Sequence, residues 1–379
     1  MKIIWYRHGH ENRNDWVRYG LMLLHIDGQV EYLEKDLAQA TESGYSQEVS
    51  SGKHRHLSFL VLFVDRSARK VIIDGEDSFI HLSDLIQESD LYFTASYNSA
   101  LYRGRKFPGI DAWYSETDIH WYKNKVDQLI TQLGDQFHKI KPFIPIGPDM
   151  NWKEQPGFLS TKINSLRYRL QKAIYKTNHW QPVKRNFDKR FTQLLGLRNE
   201  QLMYDVVLKD TLWGWPSHRI QLHKQLRQIS CTRRICAVLN WHEPGHHDGS
   251  ILSPADRSNF PMITGEEIED YELLLSRSRL GTFATGFHWG WRNILTLALF
   301  VGIPVIMDTP VLEAYFDMGE FSLLYNTSAD WNDLEEHLDN IDNTQWLRIK
   351  QQNQQVFDTR MSPRVTAAYL INTVKQACA

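Results

Sequence analysis

Two glycines and an arginine in the second half of the chain could bind an anion. Gly286 and Gly290 fall in a short loop between an apolar segment, 281–285, and a segment with helical spacing, 292–300. Glycine lets the backbone approach a ligand closely, and the free amides and dipole at a helix N-terminus favour a phosphate. Arg292 lies in the first turn of that helix, where a cation is unfavourable for the dipole. A phosphate would explain its position, because arginine pairs with phosphate through two hydrogen bonds.

A polar loop follows the first apolar segment of the chain. Residues 2–6 predict a buried strand, and the strand runs directly into charged and polar side chains at 7–15. At the start of an α/β domain such a loop lies at the carboxyl edge of the sheet, where ligands bind. His8, His10 and Glu11 belong to this loop.

A third polar stretch matches a metal site by pattern only. The sequence at 242–246, H-E-P-G-H, fits the H-E-x-x-H pattern of zinc proteases. That pattern needs both histidines on one face of a helix, and Pro244 and Gly245 between them favour a turn instead. We interpret the segment as a polar loop at a sheet edge, with adventitious metal binding as the alternative. The chain has neither a P-loop nor a strand-linked G-x-G-x-x-G, which disfavours kinases and dehydrogenases.

Composition limits the class of protein. With 42% apolar and 23% charged residues the chain is expected to fold, and a net charge of −2 predicts no general attraction to nucleic acid. The three cysteines, Cys231, Cys236 and Cys378, form no C-x-x-C pair and are typical of a reducing compartment. The apolar stretch at 1–6 is too short for a signal peptide, and the longest apolar run, 294–307, is too short to cross a membrane. We therefore expect a soluble cytoplasmic protein.

The elements that position these residues follow from the spacing of apolar side chains. In both halves, apolar runs of strand length alternate with helical segments, which is typical of mainly parallel sheets covered on both faces. Because 379 residues exceed what one core usually organises, we expect two domains. The predicted units are an N-terminal α/β domain at 1–155, a basic helical linker at 156–201, a C-terminal α/β domain at 202–360 and a helix at 361–379 that packs back on the first domain.

Two local features add detail to this division. Residues 160–201 carry many more lysines and arginines than acidic side chains. We interpret them as the solvated face of a linker helix, with peripheral contact at an anionic membrane surface as the alternative. Thr264, followed three residues later by Glu267, matches a capping box and predicts a helix that extends to Ser276.

An ordered series of motifs runs from 204 to 326. It comprises a tyrosine-bearing helix that ends in serine, a strand, a glycine loop with an arginine, a helix that ends in glycine, an I-P-V-I strand followed by aspartate, and an F-S-hydrophobic strand. The residues that supply it are Tyr271, Ser276, Ser278, Gly286, Arg292, Ala298, Gly302, Ile303, Pro304, Val305, Ile306, Asp308, Phe321, Ser322 and Leu323. Upstream, a strand at 204–207 is followed by Thr211 and Arg219. Together they resemble the donor-binding half of GT-B glycosyltransferases, and within that class the exostosin-like group.

The resemblance implies two Rossmann-like α/β domains that face a cleft. It also implies transfer of a sugar, with inversion, from a nucleotide-diphosphate sugar to a glycan or lipid-linked saccharide of a cell-surface polymer. No cofactor is implied, and the absence of a D-x-D triplet favours a mechanism without metal. The arginines would clamp the diphosphate, and His288 and Asn293 would contact the sugar or the leaving group. The expected donor-binding residues are Thr211, Arg219, Gly286, His288, Arg292 and Asn293.

The same resemblance places a catalytic base just after the first strand. Inverting transfer needs a group that removes the proton of the acceptor hydroxyl. We expect His10 to be this base, with His8 and Glu11 as alternatives. Asp118 and Asp149 are further candidates without support from their position.

Two other functions are compatible with the sequence. A sugar-nucleotide epimerase or hydrolase on the same fold would consume the donor without any acceptor. A non-catalytic glycan-binding or assembly protein would have lost its donor site. Leu297 favours this second alternative, because GT-B enzymes often carry a carboxylate near that point, where it holds the donor ribose.

Overall fold

Two six-stranded sheets, one in each half of the chain, form the framework of the protein. The computed structural model describes residues 1–9, 12–65, 67–76, 78–109, 115–151, 180–212, 215–242 and 257–378. The strands of the first sheet are β1 (Lys2–Arg7), β2 (Glu31–Asp36), β3 (Leu57–Val64), β4 (Ser67–Asp74), β5 (Leu91–Thr94) and β6 (Ile140–Pro142). Those of the second sheet are β7 (Tyr204–Thr211), β8 (Ile235–Asn240), β9 (Met262–Thr264), β10 (Ser278–Phe283), β11 (Val305–Met307) and β12 (Leu323–Tyr325).

Helices connect and cover the strands. In the part of the chain that the structure describes, they are α1 (Asp15–Ile26), α2 (Gln47–Ser51), α3 (Ser99–Tyr102), α4 (Glu116–Leu133), α5 (Gln181–Leu197), α6 (Pro216–Ile229), α7 (Tyr271–Ser276), α8 (Asn293–Val301), α9 (Leu334–Asp339), α10 (Asn343–Arg360) and α11 (Pro363–Gln376). Short 3-10 turns lie at Asn12–Asn14, Leu37–Ser43, Asp84–Glu88, Gly134–Lys139, Phe287–Trp289 and Met318–Glu320.

The first sheet has the order β2-β1-β3-β4-β5-β6. All its strands are parallel except β3, which runs against both β1 and β4. This reversal follows from the short connection between Val64 and Ser67, because only antiparallel neighbours can be joined by so tight a turn. The carboxyl ends of the other five strands therefore meet at one edge.

The second sheet has the order β12-β11-β10-β7-β8-β9. Five strands are parallel, and β9 pairs antiparallel with β8 at the edge. Such a sheet is buried on both faces, which explains the nearly continuous apolar run of β8. Its carboxyl ends also meet at one edge.

The loops that follow these two carboxyl edges contact each other. Trp291, beyond β10, donates its indole N–H to the carbonyl of Ala95, beyond β5, at 2.9 Å. Thr296 donates to the carbonyl of Ile146, beyond β6, at 2.5 Å. The largest cluster of buried apolar side chains runs through both halves. The prediction of an α/β fold with two sheet-based halves is confirmed, and the two edges face each other.

The last helix returns to the first half of the chain. α11 packs on α1, where a Cβ atom at Gly20 would lie 1.9 Å from the carbonyl oxygen of Pro363. Beside this contact, the indole N–H of Trp16 donates to the carbonyl of Met361 at 2.7 Å. A side chain larger than hydrogen at position 20 would separate the two helices.

One predicted helix start is wrong. Thr264 belongs to β9, and Gly265 follows it with a φ of +81°, so no helix begins at this point. The helix starts later, at α7, where the side chain of Asp270 accepts a hydrogen bond from the amide of Leu273 at 3.1 Å. The capping-box pattern at Thr264 and Glu267 was overridden by the pairing of β9 with β8.

Candidate active site

A buried ion-pair cluster lies at the carboxyl end of β7, with Asp210 at its centre. Asp210 is 2% exposed. Arg219, from α6, donates Nη1 to both carboxylate oxygens at 2.6 and 2.7 Å and has no exposed surface. Arg292, which directly precedes α8, donates Nη2 to Oδ1 at 2.6 Å and keeps 20% of its side chain exposed. One guanidinium is therefore enclosed, and the other reaches the protein surface.

The charges in this cluster stabilise one another. Burial alone would raise the pKa of Asp210, but the two guanidinium groups hold that pKa well below its ordinary value. Burial and the nearby Arg292 cation lower the pKa of Arg219 to about 10, so Arg219 stays charged at neutral pH. The cluster around Asp210 therefore contains two guanidinium cations and one carboxylate. The cation that reaches the surface is that of Arg292.

A second buried carboxylate, Asp308, follows β11. It accepts from the ring Nε2 of His218 at 2.9 Å, from the amide and hydroxyl of Thr285 at 2.7 and 2.9 Å, and from Asn326 at 2.9 Å. Burial opposes its charge, but these bonds, led by the one from His218, keep the pKa of Asp308 below its ordinary value. Arg219 joins the two clusters, because its Nη2 donates to the carbonyl of Thr285 at 2.8 Å.

The glycine loop after β10 is closed tightly on itself. The amide of Gly286 donates to the carbonyl of Gly290 at 3.1 Å, and a Cβ atom at Gly286 would lie 2.3 Å from that oxygen. The indole of Trp215 donates to the carbonyl of Gly286 at 3.1 Å, which ties this loop to the start of α6. The close approach of the backbone, rather than an unusual φ, requires glycine at position 286.

His288 projects from the same loop toward the first half of the chain. It is fully buried and adopts a left-handed backbone, with φ 52° and ψ 40°. Its Nδ1 lies 2.6 Å from the hydroxyl of Tyr122 in α4, and its ring lies nearly parallel to that of Trp121, at an interplanar angle of 12° with the centroids 6.2 Å apart. The loop that carries the glycines is thus joined to α4 across the two halves.

The predicted donor residues fall into two groups. Thr211, at the end of β7, and Asn293, the first residue of α8, are exposed, and Arg292 is partly exposed. Arg219 and His288 have no exposed surface. Arg292 lies at the N-cap of α8 in an extended backbone, one position before the helical turn in which the sequence placed it.

The loop after β1 is described only in part. His8 donates its Nε2–H to the carbonyl of Leu57 at 2.8 Å, and its ring packs edge-on against His54 and Phe59. This places His8 at the carboxyl edge of the first sheet, as its position after the first strand requires. His10 and Glu11, the preferred base and its carboxylate alternative, lie outside the described residues, as does the H-E-P-G-H sequence beyond His242.

The described part of the basic segment, 180–201, gives no support to a membrane-binding surface, and 160–179 lie outside the described residues. In α5, Lys184 pairs with Asp188 at 2.7 Å, and Arg190 pairs with Glu272 at 2.7 Å. Just beyond the helix, Arg198 pairs with a carboxylate of α10 at 2.8 Å. These cations are already neutralised within the protein. Within the described ranges, we find no helix with the length and apolar character that a membrane span requires.

Sequence reasoning missed several residues of this site. Asp210 gave no signal beyond being a polar residue at the end of an apolar strand. His223, one helical turn beyond Arg219, was also missed; it is 3% exposed, and its Nε2 has no hydrogen-bond partner among the described residues. Burial lowers the pKa of His223 to about 4, so the ring is neutral at physiological pH.

Comparisons with known proteins give alignments to solved structures but no match in sequence. No protein-family model matches the chain, and no curated protein matches its sequence. The structure of Anabaena HepE in complex with UDP and glucose aligns over 97% of this chain and 96% of its own, with 12% identity and a TM-score of 0.35. Values this low carry no conclusion about the activity of this chain.

Proposed function

We propose that this chain is a GT-B-type glycosyltransferase that uses a nucleotide-diphosphate sugar as donor. The acceptor would be a glycan or a lipid-linked saccharide, and the transfer would invert the anomeric centre and need no metal. The observation that carries this proposal is the placement of Arg292. A partly exposed guanidinium, fixed by a buried carboxylate, lies at the N-terminus of α8 on a sheet edge that faces a second sheet edge.

The donor diphosphate would bind at this point. Arg292 uses one nitrogen to reach Asp210, so its other N–H groups can bind phosphate oxygens. The first amides of α8 add further donors and a favourable dipole. Asn293 and Thr211 flank the position with exposed polar side chains. Arg219 would act through Asp210 as a positioning residue, because its guanidinium is already bonded to both oxygens of Asp210 and to the carbonyl of Thr285.

In the proposed reaction the acceptor hydroxyl oxygen attacks the anomeric carbon. The bond between that carbon and the diphosphate breaks, and the electron pair leaves with the phosphate oxygen. Arg292 and the α8 amides stabilise the negative charge that develops there, which is the role that a metal has in other transferases. The acceptor proton must pass to a base on the first half of the chain.

One observation favours the glycan-binding alternative. Leu297 is 3% exposed and lies among the apolar residues of α8, so that helix position offers no carboxylate for a ribose. A protein that has lost its donor site would bind nucleoside diphosphates poorly. Nucleotide affinity therefore separates the two functions.

The test is calorimetry with UDP, GDP, CDP, ADP and dTDP, with and without magnesium. We expect one diphosphate to bind without metal. Arg292→Ala should weaken its binding about 10- to 100-fold, the size expected when charge-assisted hydrogen bonds are lost. Arg292→Lys should recover part of the affinity, since it keeps the charge but not the paired donors.

Arg348→Ala is the matched control, because Arg348 is an exposed arginine of α10 far along the chain from this site. Its affinity should equal that of the wild type. Absence of binding for every diphosphate would contradict the transferase proposal and favour the glycan-binding alternative. If Arg292→Ala binds the diphosphate as tightly as the wild type, the diphosphate does not bind at the N-terminus of α8.

A further inference from the structure

Asp118, in the first turn of α4, is a buried carboxylate that lacks the partners a buried charge normally has. It is 1% exposed. One oxygen, Oδ2, accepts from the hydroxyl of Ser115 at 2.5 Å, and the other, Oδ1, has no hydrogen-bond partner among the residues that the structure describes. Burying a carboxylate oxygen without a hydrogen-bond partner destabilises the folded state. This cost indicates that Asp118 has a role other than stabilising the fold.

Helix capping does not account for this arrangement. Ser115 is the N-cap of α4 and accepts from the amide of Asp118 at 3.1 Å. In a complete capping box the third residue would also bond the N-cap amide. Here Oδ1 makes no such bond. The hydrogen bond from the amide of residue 118 to Ser115 needs no charged side chain at that position.

The position of Asp118 on the helix brings it to the junction with the glycine loop. Residues three and four positions apart share one face of a helix, with Cβ atoms about 5–6 Å apart. Trp121 and Tyr122 occupy those positions. The hydroxyl of Tyr122 bonds His288 at 2.6 Å, and the ring of Trp121 lies parallel to the His288 imidazole with the centroids 6.2 Å apart. His288 lies between Gly286 and Gly290, next to the proposed diphosphate site.

We propose that Asp118 is the catalytic base that takes the proton of the acceptor hydroxyl. The proposal rests on the glycosyltransferase function proposed above and assigns its missing base. As the hydroxyl oxygen bonds to the anomeric carbon, its proton passes to Oδ1, and the diphosphate leaves with the electron pair of the broken bond. The proton is then released to solvent.

Electrostatics at the junction agree with this role. Burial raises the pKa of Asp118 above its ordinary value, and the hydrogen bond from Ser115 opposes that rise. A carboxylate with a raised pKa is a stronger base. The other titratable groups at this junction are Glu116 and His120 on α4 itself, Tyr122, and the two imidazoles His81 and His288, whose ring centroids lie 4.8 Å apart.

The experiment compares Asp118→Asn with wild type and with Glu116→Gln, an exposed neighbour on the same helix turn. Binding of the five nucleoside diphosphates is measured by calorimetry. Turnover is measured as release of the matching diphosphate from its nucleotide sugars, in water and with a panel of methyl glycosides as acceptors. We expect Asp118→Asn to keep the wild-type affinity and to lower turnover about 100-fold or more, and Glu116→Gln to change neither.

The outcomes separate the two proposals. Wild-type turnover in Asp118→Asn overturns the base assignment and leaves the transferase function intact. A wild type that neither binds nor turns over any of these nucleotides overturns the function and the base together. If Asp118→Asn does not fold, the pH–rate profile of Ser115→Ala tests the base assignment instead. The hydrogen bond from Ser115 lowers the pKa of Asp118, so its loss should move the acid limb of the profile to higher pH. A profile that superimposes on that of the wild type overturns the assignment.

Discussion

Arg219 and Arg292 bond to the same carboxylate, but replacing them by methionine should affect different properties. Arg219→Met should mainly lower stability, and Arg292→Met should mainly weaken nucleotide binding. Arg219→Met removes two hydrogen bonds to Asp210 and one to Thr285 from a fully enclosed site. Removing one partner of a buried ion pair costs about 3–5 kcal/mol, and because Arg292 stays on Oδ1 we expect about 3 kcal/mol. Arg292→Met leaves Arg219 on both oxygens and should cost about 1 kcal/mol.

The assay is urea unfolding followed by tryptophan fluorescence, with calorimetry of the best-binding diphosphate on the folded variants. Arg219→Met should unfold at clearly lower urea and, where folded, still bind the nucleotide. Arg292→Met should unfold near the wild type and lose the nucleotide. The double variant Asp210→Asn with Arg219→Met should be less destabilised than the sum of its parts, since no buried charge is then left alone.

The pH dependence gives an independent check on the same pair. The pKa of Asp210 is lower in the folded than in the unfolded state, so its stabilisation is fully present above the unfolded value of about 3.9. That stabilisation is lost as pH falls below this value toward the folded pKa.

A wild-type unfolding midpoint for Arg219→Met, together with lost nucleotide affinity, would refute the reasoning, because the guanidinium would then face a ligand and not Asp210.

Three further predictions concern the loop, the helix behind it and the junction between the halves. Gly286→Ala should lower Tm and weaken nucleotide binding because its Cβ would meet the carbonyl of Gly290. Gly196→Ala, at an exposed position of α5 with open space around it, should keep the affinity and raise Tm slightly in the same thermal-shift and calorimetric assays, because alanine is the better helix former. The pKa of His223 falls from 6.5 to about 4 on folding, so stability should drop by about 3 kcal/mol as pH falls from 6.5 to 4, and His223→Leu should flatten that part of a denaturation-against-pH curve. Tyr122→Phe removes the hydroxyl bonded to the glycine loop and should cost about 1 kcal/mol in urea unfolding; an unchanged midpoint would show that the bond contributes nothing.

Much of the framework could be predicted from local pattern. The apolar runs that became β3 and β8 and the helical spacing of α6 and α8 are properties of short segments, and burial on both faces makes such segments easy to recognise. The glycine loop was found for the same reason, since two glycines and an arginine between a strand and a helix form a pattern that is complete within about ten residues.

The pairing of side chains across the fold could not be predicted in the same way. Arg219 was expected to contact the donor diphosphate because its residue type fits, but exposure depends on tertiary packing, and the structure encloses its guanidinium against Asp210. The contact between Tyr122 and His288 joins residues that are 166 positions apart. No periodicity within either segment carries information about the other.

The most direct test of the central claim is a turnover measurement on a panel of nucleotide sugars with UDP, GDP, CDP, ADP and dTDP as the nucleotide part. Wild type, Arg292→Ala and Arg348→Ala are compared for release of the nucleoside diphosphate in metal-free buffer. We expect one nucleotide class to be consumed by the wild type and Arg348→Ala at equal rates and by Arg292→Ala far more slowly. Equal rates in all three proteins, or no release from any donor, would contradict the proposed function.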